Sequence, residues 1–110
     1  MSASDVVQAQ LDAYNAQDLD AFCACFSEDA VLAELNGTTT HSGKVAVRKR
    51  YADLFGQYPE NGAVLISRIA VGDVVVDEGR IEGGPGEAPF RAAAIYTVKS
   101  GLITRVDFVR

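Results

Sequence analysis

Glu34 is the side chain whose setting most suggests acid–base chemistry, as the one charge in the β-prone run from Ala30 to Leu35. Ala30, Leu32 and Glu34 alternate along that run, so a strand puts all three on one face. With that face turned inward the carboxyl sits among apolar groups, and lost solvation raises its pKa toward that of a general base. His41 is the only histidine of the sequence and lies in the polar segment that follows. Placed at the mouth of a pocket, it would meet Glu34 as a proton-relay pair. Tyr14 and Tyr96 are candidate hydroxyl donors, although tyrosines at such positions also serve as core packing. Ala92 and Ala94 share a strand face with Phe90 and Tyr96, and small side chains on a concave face leave room for a ligand.

Other reactive residue types fall short of a site. Arg68, Arg91 and Asp107 lie inside strand-like runs, where outward pairing across strands is their ordinary role. Lys44, Arg48, Lys49 and Arg50 gather on what reads as a solvated helix face. Cys23 and Cys25, two apart in a predicted helix, point away from each other and lack the companions of a metal site. They read as buried reduced thiols of a cytoplasmic protein. The glycines at 83, 84 and 86 belong to a hairpin rather than to a phosphate-binding loop, so no cofactor and no metal are expected.

A formal charge of -5 repels phosphate backbones, so nucleic acid is not an expected partner. The stretch from Met1 to Asp5 lacks a basic segment leading into an apolar one, and no apolar run is long enough for a bilayer; neither a signal peptide nor a membrane is expected. With 110 residues, the chain reads as a single domain over 1–110.

The elements that must position these residues are helical first. Ser4 is a plausible cap for a helix carrying Val7, Leu11 and Tyr14 at helical spacing. Asp18 caps a shorter helix that buries Leu19, Phe22 and Phe26, and Ser27 to Asp29 reads as a turn. Residues 36–43 read as a loop with a short extended piece. A third helix follows with the apolar stripe Val47, Tyr51, Leu54 and Phe55, ended by Gly56 and Pro59. Beyond Gly62 come four runs rich in β-branched residues, Val64 to Val71, Val74 to Glu82, Phe90 to Lys99 and Leu102 to Val109. Gly72-Asp73 and Ser100-Gly101 are tight turns, and 83–89 is a longer, flexible hairpin loop. Helices followed by a strand meander give an α+β class. A bent sheet wrapping its helices would bury one face, and the Val, Ile and Phe left on the other imply a homodimer packed sheet to sheet.

Several stretches resemble one known family. Tyr14-Asn15-Ala16-Gln17-Asp18-Leu19-Asp20-Ala21-Phe22 with Phe26-Ser27-Glu28-Asp29-Ala30-Val31 is similar to the region joining the first helices to the first strand in SnoaL-like proteins and ketosteroid isomerases. Ser42-Gly43 with Val47-Arg48 and Tyr51 resembles their third-helix entry, and Gly101-Leu102-Ile103-Thr104-Arg105 their last hairpin. The resemblance spans nearly the whole chain. It implies the cone-shaped nuclear transport factor 2-like (cystatin-like) fold, with N-terminal helices packed in a curved, mostly antiparallel sheet. It puts Glu34 at the position of the isomerases' carboxylate base. Gln10 stands where they have a tyrosine and Ala94 where they have an aspartic acid, so a strict ketosteroid isomerase is not implied. An inward Arg–Asp set would instead suggest water activation of the epoxide hydrolase kind.

The function expected is therefore a pocket for a small apolar molecule, with isomerase or lyase chemistry of the steroid delta-isomerase kind. Glu34, Tyr14 and His41 are its candidate catalytic groups. Gln10, Phe22, Phe26, Leu32, Tyr51, Phe55, Ala92, Ala94 and Tyr96 are its candidate lining. A non-catalytic hydrophobic-ligand binder or a dimerisation module of the same fold is the alternative. On the isomerase reading, Glu34→Gln should abolish turnover and spare the fold.

Overall fold

Ser2, rather than Ser4, opens the first helix. Its hydroxyl accepts from the Asp5 amide at 3.1 Å while Asp5 accepts from the Ser2 amide at 3.0 Å, a reciprocal capping box. Helix α1 then runs Ala3–Ala16, and Gln17 closes it in the left-handed conformation. Asp18 caps α2 (Leu19–Ala24) through the Ala21 amide, as its position before the apolar pattern predicts. The computed structural model describes residues 1–86 and 88–110, so Glu87 of the predicted 83–89 loop lies outside the described residues.

The remaining elements are β1 (Phe26–Glu34), β2 (Thr39–Ser42), α3 (Lys44–Gln57), β3 (Gly62–Val71), β4 (Val74–Glu82), β5 (Phe90–Lys99) and β6 (Leu102–Val109). Other local readings change, and Phe26, expected on the buried side of the second helix, instead opens β1. Ser27 to Asp29 belong to the strand, which absorbs them as an irregularity in its register between Phe26 and Val31. The extended piece of the 36–43 segment is β2, paired antiparallel with β1. Helix α3 runs through Gly56 to Gln57, because an exposed glycine costs only about 1 kcal/mol in a helix whose buried face still has Phe55 to pack.

The strands form one curved, unclosed sheet in the order β2-β1-β6-β5-β4-β3. Only β1 with β6 is parallel among the described pairs; all other neighbours are antiparallel, with Gly72 and Ser100-Gly101 supplying positive φ at the two tight turns. Helix α1 lies across β3 to β6, and α3 against β1 and β2. Phe22, Phe26, Leu32, Ile103 and Val106 are fully buried between helices and sheet. Each such side chain contributes about 1.5–3 kcal/mol. Phe22 and Tyr51 meet with ring centroids 4.3 Å apart, joining α2 to α3. This is the expected α+β, nuclear transport factor 2-like architecture. No helix among the described residues is long and apolar enough to cross a membrane.

Candidate functional site

Between the helices and the β3–β6 part of the sheet lies a cavity of about 560 Å³. Its volume follows from small residues on the concave face: Gly79 on β4 and Ala92 and Ala94 on β5 all line it. Phe22 and Phe26 close it from the α2 side, Tyr51 from α3, and Gln10 and Tyr14 stand one helical turn apart on α1. The wall is mostly apolar, with few polar groups, the composition usual for small-molecule sites.

Two sets of polar groups stand out on it. One is locked by the protein. The Tyr14 hydroxyl donates to Oδ1 of buried Asn61, whose Nδ2 donates to the Glu82 carbonyl at 2.9 Å. Gly83 and Gly84 lie against this corner: Gly83 has φ 66°, and a Cβ there would meet the Glu60 carbonyl oxygen at 2.2 Å, so only glycine fits. Asp77, buried on β4, is gripped by Arg68, whose Nε donates to Oδ1 at 2.7 Å and Nη2 to Oδ2 at 2.9 Å. Gln8 of α1 steadies the arginine, accepting from its Nη1 at 2.8 Å. Hydrogen bonding to Asp77 holds the Arg68 pKa above its ordinary value.

The second set is open. Among the described residues, the Tyr51 and Tyr96 hydroxyls and the Gln10 amide make no hydrogen bond within the protein, and all three residues line the cavity. Burial first, then the neighbouring Tyr51 hydroxyl, pushes the Tyr14 pKa up to about 12 and raises that of Tyr96 further. Both phenols therefore stay protonated, and Tyr96 is free to donate. Donors of this kind on a cavity wall suit a carbonyl or enolate oxygen.

The expected proton-relay pair is not there. Glu34 is exposed and lies outside the cavity, because the β1–β2 register shifts between Leu32 and Ala33. Both of those side chains are fully buried, the alternation breaks, and Glu34 falls on the solvent side of the strand end. His41 sits on β2 opposite Leu32, its Nδ1 3.0 Å from the Thr40 hydroxyl, and also lies off the cavity wall. Leu32 and Phe55 are core residues rather than lining. Gln10, Tyr14, Phe22, Phe26, Tyr51, Ala92, Ala94 and Tyr96 do line the cavity.

Arg91 pairs outward with Glu78, and Asp107 with Arg105 on its own strand. Arg68, expected outward, is instead the inward partner of Asp77. Asp77 and Asn61 escaped the sequence reading. Asp77 had a signal: counting outward from the Gly72-Asp73 turn pairs Val71 with Val74 and hence Arg68 with Asp77. Asn61 before Gly62 reads only as a turn residue.

A sequence model described as the SnoaL-like domain matches residues 7–106. An uncharacterised cystatin-fold protein from Novosphingobium aromaticivorans is 31% identical with a TM-score of 0.93, over 100% of this chain and 99% of that one. A candidate polyketide cyclase from Sinorhizobium meliloti is 27% identical with a TM-score of 0.82, over 96% and 94%. A ketosteroid isomerase-like-fold protein from Catenulispora acidiphila, solved with trimethylamine, shares the fold at 19% identity and a TM-score of 0.79, over 96% and 84%. No curated protein matches the sequence. By the extent of the family match, and with a pocket-bearing nuclear transport factor 2-like fold around it, the chain belongs to the SnoaL-like domain family.

Proposed function

We propose that the chain binds a small, largely apolar molecule bearing a carbonyl oxygen and acts on it by carboxylate acid–base chemistry of the isomerase or lyase kind. The observation that carries this is a set of donors without protein partners, Tyr96 on the concave sheet face with Asp77, and Tyr51 and Gln10 on the helices opposite, all lining one cavity. Asp77 takes the part expected of Glu34. Both Asp77 oxygens already spend a lone pair on the Arg68 guanidinium. The proton Asp77 removes must then be an acidic one, such as that of a carbon flanked by two carbonyls. The fold neighbour described as a candidate polyketide cyclase is in keeping with such a substrate.

The test is solvent deuterium exchange into the central methylene of ethyl benzoylacetate, followed by proton NMR. Exchange above the buffer rate is expected for the native chain. It should fall about a hundredfold or more in Tyr96→Phe, the typical cost of one lost oxyanion donor. Exchange no faster than buffer, or a Tyr96→Phe rate equal to native, would sink the catalytic reading in favour of simple binding.

A second copy of the chain is the partner proposed for the outer sheet face. Ile69 and Val71 are 63% and 74% exposed there, beside charges already paired with one another. Sedimentation equilibrium of native chain against Ile69→Glu checks it, dimer becoming monomer being the expected result. The two free cysteines favour a reducing, cytoplasmic setting.

A further inference from the structure

The basic residues of this acidic chain are distributed unevenly with respect to their partners. Ten lysines and arginines face 15 acidic residues in the sequence. Lys44, Arg48, Lys49, Arg68, Arg80, Arg91, Lys99 and Arg105 each reach a carboxylate. Among the described residues, Arg50 and Arg110 reach none, and both line the cavity. Arg50 is half-buried on α3, and its Nε is the one buried side-chain nitrogen or oxygen left without a hydrogen-bond partner among those residues. Its guanidinium sits 5.2 Å from the Tyr51 ring centroid, and that of Arg110 lies 5.5 Å from the Phe108 ring.

The acidic groups on the same wall do not cancel them. Asp53 is paired with Lys49 at 3.3 Å, and Asp77 is held by Arg68. Arg50 therefore stands on the cavity wall as a positive charge without an ion-pair partner, inside a protein whose formal charge is -5. A guanidinium on a largely apolar wall without a carboxylate partner is costly unless a ligand supplies an acceptor to its accessible nitrogens. Arginine, stacked on an aromatic ring, is the side chain best shaped to hold a planar oxyanion.

We propose that the natural ligand is an amphipathic oxyanion, with an apolar body filling the cavity and an anionic head held by Arg50 and, more weakly, Arg110. The proposal rests on the cavity being a ligand site, and it narrows the substrate class from any apolar carbonyl compound to one with an acidic end. A carboxylate and a phosphate monoester share the chemistry that the two guanidinium groups recognise.

Calorimetric titration with 2-naphthoate, methyl 2-naphthoate and 2-naphthyl phosphate in low-salt buffer tests it. An anion should bind about tenfold or more tighter than the neutral ester, and whichever anion is tighter identifies the head group. Arg50→Gln should bring the anion down to the ester's affinity while leaving ester binding unchanged. Arg110→Gln should cause a smaller loss, and Arg48→Gln, on the same helix but paired with Asp20, none. Equal binding of anions and ester to the native chain, or a preference that survives Arg50→Gln, overturns the oxyanion while leaving the pocket standing. Failure of all three probes to bind overturns the pocket reading and the oxyanion together.

Discussion

The two ends of the sheet use the same strand alternation, yet one is solid and the other hollow. At the β1–β2 end, Ala30, Leu32 and Ala33 are fully buried and α3 packs directly on the strands. At the β4–β5 end, Gly79, Ala92 and Ala94 face inward and no large side chain takes up the space they leave. Candidate acid–base residues stand at both ends. Glu34 and His41 at the solid end are turned to its rim, where they need no ligand. Asp77 and Tyr96 at the hollow end face a cavity. What separates a site from a surface here is the volume left by small neighbours, rather than the presence of a carboxylate on an apolar strand.

The largest effect expected from breaking this contrast is at Asp77. Asp77→Asn leaves the Arg68 guanidinium without its charge partner in a place where that side chain is only 17% exposed. Removing one member of a buried pair costs about 3–5 kcal/mol. Urea unfolding should show that loss, and the double replacement Arg68→Met with Asp77→Leu should recover most of it. A cost below about 1 kcal/mol, the range of surface ion pairs, would mean that the hollow end is as wet as the rim.

Two matched substitutions sharpen the comparison at intermediate size. Ala33→Leu overfills the solid end and should cost about 1–3 kcal/mol. Ala94→Leu, made on the cavity wall, should leave the melting temperature unchanged or slightly raised while weakening 2-naphthoate binding. Equal destabilisation by both would show the hollow end to be as tightly packed as the other.

Much of this division could be read from residue order, and the part that could not has a physical cause. The meander, its tight turns and the caps on the helices are local, and Asp18, Gly72 and Ser100-Gly101 specify them through side-chain and backbone preferences of their own. The inward face of β5 followed from its alternation, which is why Ala92, Ala94 and Tyr96 were found. The face of Glu34 depended on a register shift at Leu32/Ala33, set by β2 pairing from beyond a loop. One residue of slip reverses every side chain after it. Asp77 was legible only with the hairpin register, and Asn61 only once Gly83 and Gly84 lie against it.

A smaller effect concerns pH. Burial first, then the Tyr51 hydroxyl, pushes Tyr14 from 10.0 up to about 12. Between those values the folded chain holds a proton that the unfolded chain has lost, so stability is complete below pH 10.0 and falls as pH rises toward about 12. Absorbance titration of the four tyrosines should show Tyr14 and Tyr96 ionising last, and only with unfolding. Tyr14→Phe should flatten the alkaline decline. A native titration in which all four tyrosines ionise together near 10.0 would mean that the hydroxyls are solvated.

The smallest effects belong to the solid end. Glu34 is exposed, so Glu34→Gln should change stability by less than about 0.5 kcal/mol. It should also leave exchange into ethyl benzoylacetate within twofold of native, reversing what the strand pattern alone implies. His41 has a measurable but modest signature. Burial first, then the charge of Arg50, holds its pKa below the ordinary 6.5. The unfolded chain therefore takes up a proton that the folded chain resists, and stability falls as pH drops below about 6.5. His41→Asn should remove that acidic decline without altering the rate or pH profile of exchange, because neither His41 nor Glu34 touches the cavity. A turnover loss in either variant would move the chemistry back to the β1–β2 end and leave Asp77 as a structural pair.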